Sequence, residues 1–218
     1  MSNGELFPLS ESGPLAPRKL GPGACVLPGF ALPQVEALLL HVRRIEAAAP
    51  FRQMVTPGGF TMSVSMTNCG RLGWVSDRRG YRYTQTDPET GRPWPAMPEV
   101  FAKLAREAAD AAGFAGFATD ACLMNRYVPG TRLTLHQDKN ERDFSAPIVS
   151  VSLGMPATFL FGGVARADRV SRVPLRHGDV VVWGGEDRLR FHGVMPLKEE
   201  AHSLFGAQRL NLTFRKAG

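Results

Sequence analysis

Apolar residues recur along this chain with two different periods. In residues 33–48, PQVEALLLHVRRIEAA, they recur at helical spacing behind a proline in the first turn, and Pro50 stops the run. Residues 98–112, PEVFAKLAREAADAA, repeat the pattern, with Val100, Phe101, Leu104 and Ala108 as the stripe and Gly113 as the stop. Elsewhere the period is two. Phe60, Met62, Val64 and Met66 alternate with Thr61, Ser63 and Ser65, which predicts a strand over 60–66. From about residue 120, β-like runs follow one another between turns: ACLMNRYV, TRLTLHQD, PIVSVSL, ATFLF, SRVPL, DVVVW, RFHGVM and QRLNLTFR. Eight short strands at even spacing predict a β-sandwich or barrel, with the two helices covering one sheet. Residues 1–29 and 70–96 show neither period; the first is expected to be a mobile arm or a surface-wrapping segment, the second irregular.

Composition agrees with a β-rich fold. The chain has 218 residues, enough for one large domain, and Gly (23) and Pro (17) exceed the usual combined share of about 12%. The three Cys are widely spaced and form no CxxC pair, which suits a reducing compartment. With no signal-peptide pattern and no long apolar run, the expectation is a cytoplasmic protein without a membrane span. Net charge is +6, and only five of the 26 basic residues are Lys. An arginine-heavy surface suits bidentate phosphate contacts, so nucleic acid is one candidate partner.

Three clusters carry candidate chemistry. His136 and Asp138 are two apart in a strand-like run and point the same way, and His192 follows several strands later. Two His and one carboxylate form a facial triad suited to non-haem Fe(II), with Zn²⁺ as the alternative. A second HxD, His177-Gly178-Asp179, reads instead as a turn entering DVVVW, with Asp179 bonding the turn backbone. In the last strand, Arg209, Asn211, Thr213 and Arg215 share one face. If that face is buried, its arginines need anions, and a dicarboxylate co-substrate supplies them. Asn125 and Tyr127 alternate onto one face in the same way. In residues 71–83, arginines interleave with Trp74, Tyr81 and Tyr83, a mixture able to stack a base and hold phosphate.

These segments together resemble the AlkB family of Fe(II)- and 2-oxoglutarate-dependent nucleic-acid demethylases. The resemblance rests on FRQMVTPGGFTMSVSMTNCG, NRY at 125–127, LHQDK at 135–139, APIVSVSLG, HGDVVVWGG and NLTFR, and runs from about 24 to 217. It implies an α+β, mainly β fold: a double-stranded β-helix, or jelly roll, with helices buttressing one sheet and an N-terminal nucleotide-recognition lid. The implied organisation is a flexible arm at 1–23 and one dioxygenase domain at 24–218, with the lid at about 56–96 and the core at about 120–216. By resemblance, His136, Asp138 and His192 hold Fe(II). Arg209 and Arg215 bind the carboxylates of 2-oxoglutarate, and Asn125, Tyr127 and Asn211 line that pocket. Trp74, Tyr81, Arg82, Tyr83, Asn140 and Arg166 fall in the lid and its surroundings, facing substrate.

The implied reaction is hydroxylation of an N-methyl group on 1-methyladenine or 3-methylcytosine, using Fe(II), 2-oxoglutarate and O₂, with release of formaldehyde. That is direct reversal of alkylation damage. The implied partner is single-stranded or flipped-base DNA, with RNA as a further candidate, and a monomer is expected. Two departures bear on base preference. Asn140 stands where the bacterial type member has Asp, and Arg82 where it has an apolar residue. Other readings are an oxygenase of RNA, protein or a small molecule, and a non-catalytic jelly roll that binds nucleic acid.

Overall fold

A computed structural model describes residues 16–218 of the chain. Strands β1 (Arg18–Gly21) and β2 (Ala24–Leu27) form a hairpin, and α1 (Val35–Ala48) follows a single 3-10 turn. Next come β3 (Arg52–Val55), β4 (Thr61–Gly70), β5 (Gly73–Asp77), β6 (Gly80–Thr84) and α2 (Glu99–Ala111). The rest is strand and loop: β7 (Ala121–Tyr127), β8 (Leu133–His136), β9 (Ile148–Gly154), β10 (Ala157–Phe161), β11 (Ser171–Leu175), β12 (Val180–Trp183), β13 (His192–Val194) and β14 (Arg209–Arg215). All eight strands expected after residue 120 are present.

The strands make two antiparallel sheets and a separate hairpin. The large sheet runs β1-β2-β12-β9-β14-β7-β4-β3, the small one β11-β10-β13-β8, and β5 pairs with β6 alone. The period-two pattern decides which residue meets which layer. Val180, Val182, Leu210, Leu212, Phe214, Cys122 and Met124 pack against Leu38, Val42 and Ile45 of α1 and Phe101, Leu104 and Ala108 of α2. Their neighbours Val181, Trp183, Leu123 and Tyr127 face the other way and pack with Phe159, Phe161, Val173 and Val194 of the small sheet. The large sheet is therefore buried on both faces, which explains the unbroken apolar run of β12. The helices cover its outer face, and the jelly-roll interior lies between the sheets.

Two expectations need correction. Within 70–96, residues 73–84 are a regular hairpin, with Trp74 opposite Tyr83 and Ser76 opposite Tyr81. Its alternation escaped the pattern because the face opposite Trp74 and Tyr81 carries buried Val75 together with Asp77 and Arg82 instead of a clean polar set. The second concerns the N-terminus. Most of the expected arm, 1–15, lies outside the described residues. Its last part is ordered, because β1 pairs with β2, and β2 pairs with β12 through Leu27 and Val180. Four-residue strands are too short to show a period, and the partner that orders them lies far along the chain.

Buried polar contacts hold the β5–β6 hairpin over the sandwich mouth. Asn68, wholly buried in β4, donates to Trp74 O at 2.9 Å and accepts from Trp74 N at 3.0 Å, acting as a short strand edge. Ser76 Oγ donates to Val55 O at 2.7 Å. Trp94 is buried beneath β5 and β6 and donates to Thr84 O at 3.1 Å. Gly73 is required there, since a Cβ would stand 2.4 Å from the Trp94 ring.

In the small sheet, a Cβ on Gly193 would lie 2.6 Å from Leu133 O and 3.1 Å from Thr134 C, which are backbone atoms that cannot swing aside. Gly193→Ala should therefore pry β13 from β8 and lower stability by about 1–3 kcal/mol, as overpacking does. Chemical denaturation checks this, and an unchanged midpoint would refute the packing assignment.

Candidate active site

The pairing of β13 with β8 sets His192 directly opposite His136, with ring centroids 4.4 Å apart. Asp138 follows β8 and closes the group, its carboxylate oxygens 3.8 Å from His136 Nε2 and 3.7 Å from His192 Nε2. One ligand atom from each residue lies within 4.8 Å of the others. Each imidazole is held by its other nitrogen. His136 Nδ1 lies 2.8 Å from Thr134 O, and His192 Nδ1 lies 3.0 Å from Arg190 O. A carbonyl only accepts, so both Nδ1 atoms carry the proton and both Nε2 lone pairs face the shared point. Burial, and then neighbouring His136, bring His192 down to about 4, so it is neutral and able to ligate at pH 7.

Asp138 is set by its partners. Burial pushes its carboxyl up, but the charges of Arg215, His192 and His136 outweigh that and hold it well below the usual carboxylate range. Arg215 donates to Oδ2 from Nε at 2.9 Å and from Nη2 at 2.6 Å, so Oδ1 keeps its lone pairs for a cation.

Arg215 is fixed in turn by Glu141, which the sequence reading missed. The Glu141 side chain is 1% exposed. It accepts from Tyr83 Oη at 2.6 Å and Arg188 Nη2 at 3.1 Å, and pairs with Arg215 Nε at 3.5 Å. Arg188 also donates to Asp138 O at 2.9 Å and Ala146 O at 3.1 Å. Glu141 and Arg188 lie in loops with no periodicity, and no sequence signal marked them.

A cavity of about 900 Å³ opens beside the triad, at the upper end of the range for small-molecule sites. The expected residues Asn125, Tyr127, Arg209, Asn211 and Arg215 line it, as do Trp74, Tyr81, Asn140 and Arg166. Arg82 and Tyr83 do not. Arg82 turns to the hairpin's outer face and pairs with Asp77 at 2.7 Å, and Tyr83 is spent on Glu141. Trp74 and Tyr81 stack over the mouth at 5.6 Å and 14°. Trp183 is 1% exposed and also forms part of the wall. The second HxD stays structural: Asp179 accepts from Gly29 N at 2.9 Å and Arg176 N at 2.7 Å, and His177 Nδ1 accepts from Gly154 N at 3.0 Å.

The donor set of the wall fits an anionic co-substrate beside a cation. β14 lies between β9 and β7, so the Arg209–Arg215 face points into the interior, away from solvent. Arg209 is 1% exposed and donates to Ser152 Oγ at 2.9 Å. Its Nε and Nη1, and Asn125 Oδ1, find no hydrogen-bond partner among the described residues. Buried donors of that kind are costly unless something answers them, and a carboxylate answers a guanidinium edge bidentately.

A family model described as the 2OG-Fe(II) oxygenase superfamily matches residues 23–215. The chain is 59% identical over 198 residues to the alpha-ketoglutarate-dependent dioxygenase AlkB of Salmonella typhimurium, covering 91% of this chain and 92% of that one. It is 57% identical over 199 residues to the protein of the same name from Escherichia coli, covering 91% and 92%. The solved structure of OsALKBH1 superposes with a TM-score of 0.81 at 32% identity, covering 92% of this chain and 100% of that one.

Two predictions follow from the buried charges. Glu141→Leu leaves Arg188 and Arg215 short of a counter-charge and should cost about 3–5 kcal/mol in urea unfolding. A loss under about 1 kcal/mol would show that Glu141 is not the hub. In chelator-treated protein, His192 is neutral down to about 4, while in the unfolded chain it titrates near 6.5. Unfolding then takes up a proton between those values, so stability should fall as pH drops from about 6.5 to about 4. Burial also lowers His177, which adds in the same direction. Thermal unfolding of His192→Gln should show a shallower slope across that window, and an equal slope would reject the assignment.

Proposed function

This chain belongs to the AlkB family of the 2OG-Fe(II) oxygenase superfamily, and we propose that it removes methyl groups from ring nitrogens of bases in single-stranded or flipped-base DNA. Its reaction class is that of the family: an Fe(II)- and 2-oxoglutarate-dependent dioxygenase that oxidatively demethylates alkylated nucleic-acid bases. 1-Methyladenine and 3-methylcytosine are among the proposed substrates, with RNA as a second carrier. We further read the chain as a cytoplasmic monomer; no described helix is long and apolar enough to cross a membrane.

One observation carries the reading of the site. A two-His, one-carboxylate triad shares its cavity with a buried, half-satisfied arginine and a stacked aromatic pair at the mouth. Those are the requirements for metal, dicarboxylate and base in one space. When bound, Fe(II) and 2-oxoglutarate supply, with O₂, the oxidising power that hydroxylates the methyl carbon, after which the base sheds formaldehyde.

The chain's own residues do the rest. His136, Asp138 and His192 would hold the metal with one ligand atom each, and the cavity beside them would receive the co-substrate. Arg209 takes the distal carboxylate of the co-substrate, with Tyr127 packed beneath its guanidinium at 5.0 Å. Arg215 keeps Asp138 ionised and oriented. Trp74 and Tyr81 give an extruded base a stacking surface, and Arg166, anchored to Leu135 O at 2.9 Å, stands at the rim for phosphate. Tyr83 serves by pinning the hairpin to Glu141.

Mass spectrometry of an oligonucleotide bearing one 3-methylcytosine tests this. Incubation with protein, Fe(II), 2-oxoglutarate, ascorbate and air should remove one methylene mass, and His136→Ala should abolish the loss. Succinate formed without demethylation would point to another target. Neither product would leave the non-catalytic binding module as the better reading.

A further inference from the structure

The cavity that receives the base is unbalanced in charge. Arg215 is answered by Asp138 and Glu141, and Arg209 by the co-substrate carboxylate, but Arg132, Lys139 and Arg166 also line the cavity, and among the described residues Asp138 is its only carboxylate. Asp138 is already committed to Arg215 at 2.6 Å and to the metal position. A cationic base entering this space finds several like charges and no free counter-charge. Desolvating it there is unfavourable.

A second, independent observation lies at Asn140. Trp74 Nε1 donates to Asn140 Oδ1 at 3.2 Å. An indole N–H can only donate, so this contact settles which end of the amide faces the hairpin. The amide nitrogen is then the free end, and no described residue accepts from it. Asn140 lines the cavity, and the ring that orients it is the one stacked on Tyr81. The edge offered to a base lying against these rings is therefore a donor edge.

We propose that Asn140 makes this enzyme favour neutral ring-N-methylated bases that carry a carbonyl at C4 of a pyrimidine or C6 of a purine, next to the methylated nitrogen. Examples are 3-methylthymine and 1-methylguanine. The disfavoured class is the cationic, amine-bearing counterparts, 3-methylcytosine and 1-methyladenine. The inference rests on the base-demethylase reading above and ranks substrates within it. In the favoured class the ring carbonyl accepts from Asn140 Nδ2. In the other class an exocyclic amine meets Nδ2 donor to donor, and the ring charge meets the cationic wall. A site that must pair a donor discriminates against a ligand lacking the acceptor, because its own N–H is left unanswered. Asn140 determines the specificity, and Trp74 positions it.

The matched pair 3-methylthymine and 3-methylcytosine tests this, since the two differ mainly in charge and in the carbonyl or amine at C4. Fluorescence anisotropy would compare short single strands carrying either base, or unmodified thymine, against Fe(II)- and 2-oxoglutarate-loaded protein without oxygen. The native chain should bind 3-methylthymine about tenfold more tightly than 3-methylcytosine. Asn140→Asp should cut that ratio by about tenfold or more, because it replaces the donor with an acceptor and supplies the missing charge. Trp74→Phe keeps a ring for stacking but frees the amide to turn, and should lower the ratio while leaving the part due to the cationic wall. Asn140 is exposed, so its substitution leaves the fold intact. Equal or tighter native binding of 3-methylcytosine, or a ratio unmoved by Asn140→Asp, would overturn the inference while both methylated strands still outbind the unmodified one. If all three strands bind alike, the demethylase reading itself fails, and this ranking with it.

Discussion

Asp138 has to remain an anion inside the protein. Its side chain is 10% exposed, and burial alone would favour the neutral acid. Arg215 reverses that balance with two hydrogen bonds to a single oxygen. The pair succeeds only because its remaining valences are met: Arg215 reaches Glu141, and Glu141 is held by Arg188 and Tyr83. A half-satisfied buried network would be worse than an apolar core. The His136–Asp138–His192 group, the arginine-bearing cavity wall and the hairpin over the mouth all meet at this cluster.

The fold makes room for such a cluster by burying the large sheet twice. Residues on its outer face seal against the helices and supply the apolar burial. That leaves the inner face free to carry Arg209, Asn211, Thr213 and Arg215 on a central strand, a placement that apolar packing alone would forbid. The small sheet contributes little more than β8 and β13. Their antiparallel register suffices to bring two imidazoles face to face.

The specificity proposed for the base sits outside the sandwich. The hairpin of β5 and β6 touches the sandwich through Asn68, Ser76, Tyr83 and Trp94, a few directed hydrogen bonds over a small core of Ala49, Val75 and Trp94. Such an element can vary its exposed rings and charges without disturbing the metal ligands. Asn140 occupies the junction between the two regimes. It lies two residues past a metal ligand, yet its side chain answers to the hairpin.

Much of this protein was legible before any coordinates. The period of two marked the strands after residue 120, the helical stripes marked α1 and α2, and the i, i+2 relation put His136 with Asp138 and Arg209 with Arg215. These are local rules, each set by the geometry of one element. The hairpin at 73–84 and the ordering of 18–27 were not legible, because each depends on contacts from distant segments. Nor were Glu141 and Arg188, which sit in loops where residue type says nothing of burial. The tertiary structure alone decided that Arg82 turns to Asp77, that Tyr83 is spent on Glu141 instead of lining the cavity, and that Asn140 turns its oxygen to Trp74. Side chains one position apart on a strand face opposite layers, and which layer is the site depends on what the rest of the chain packs against it.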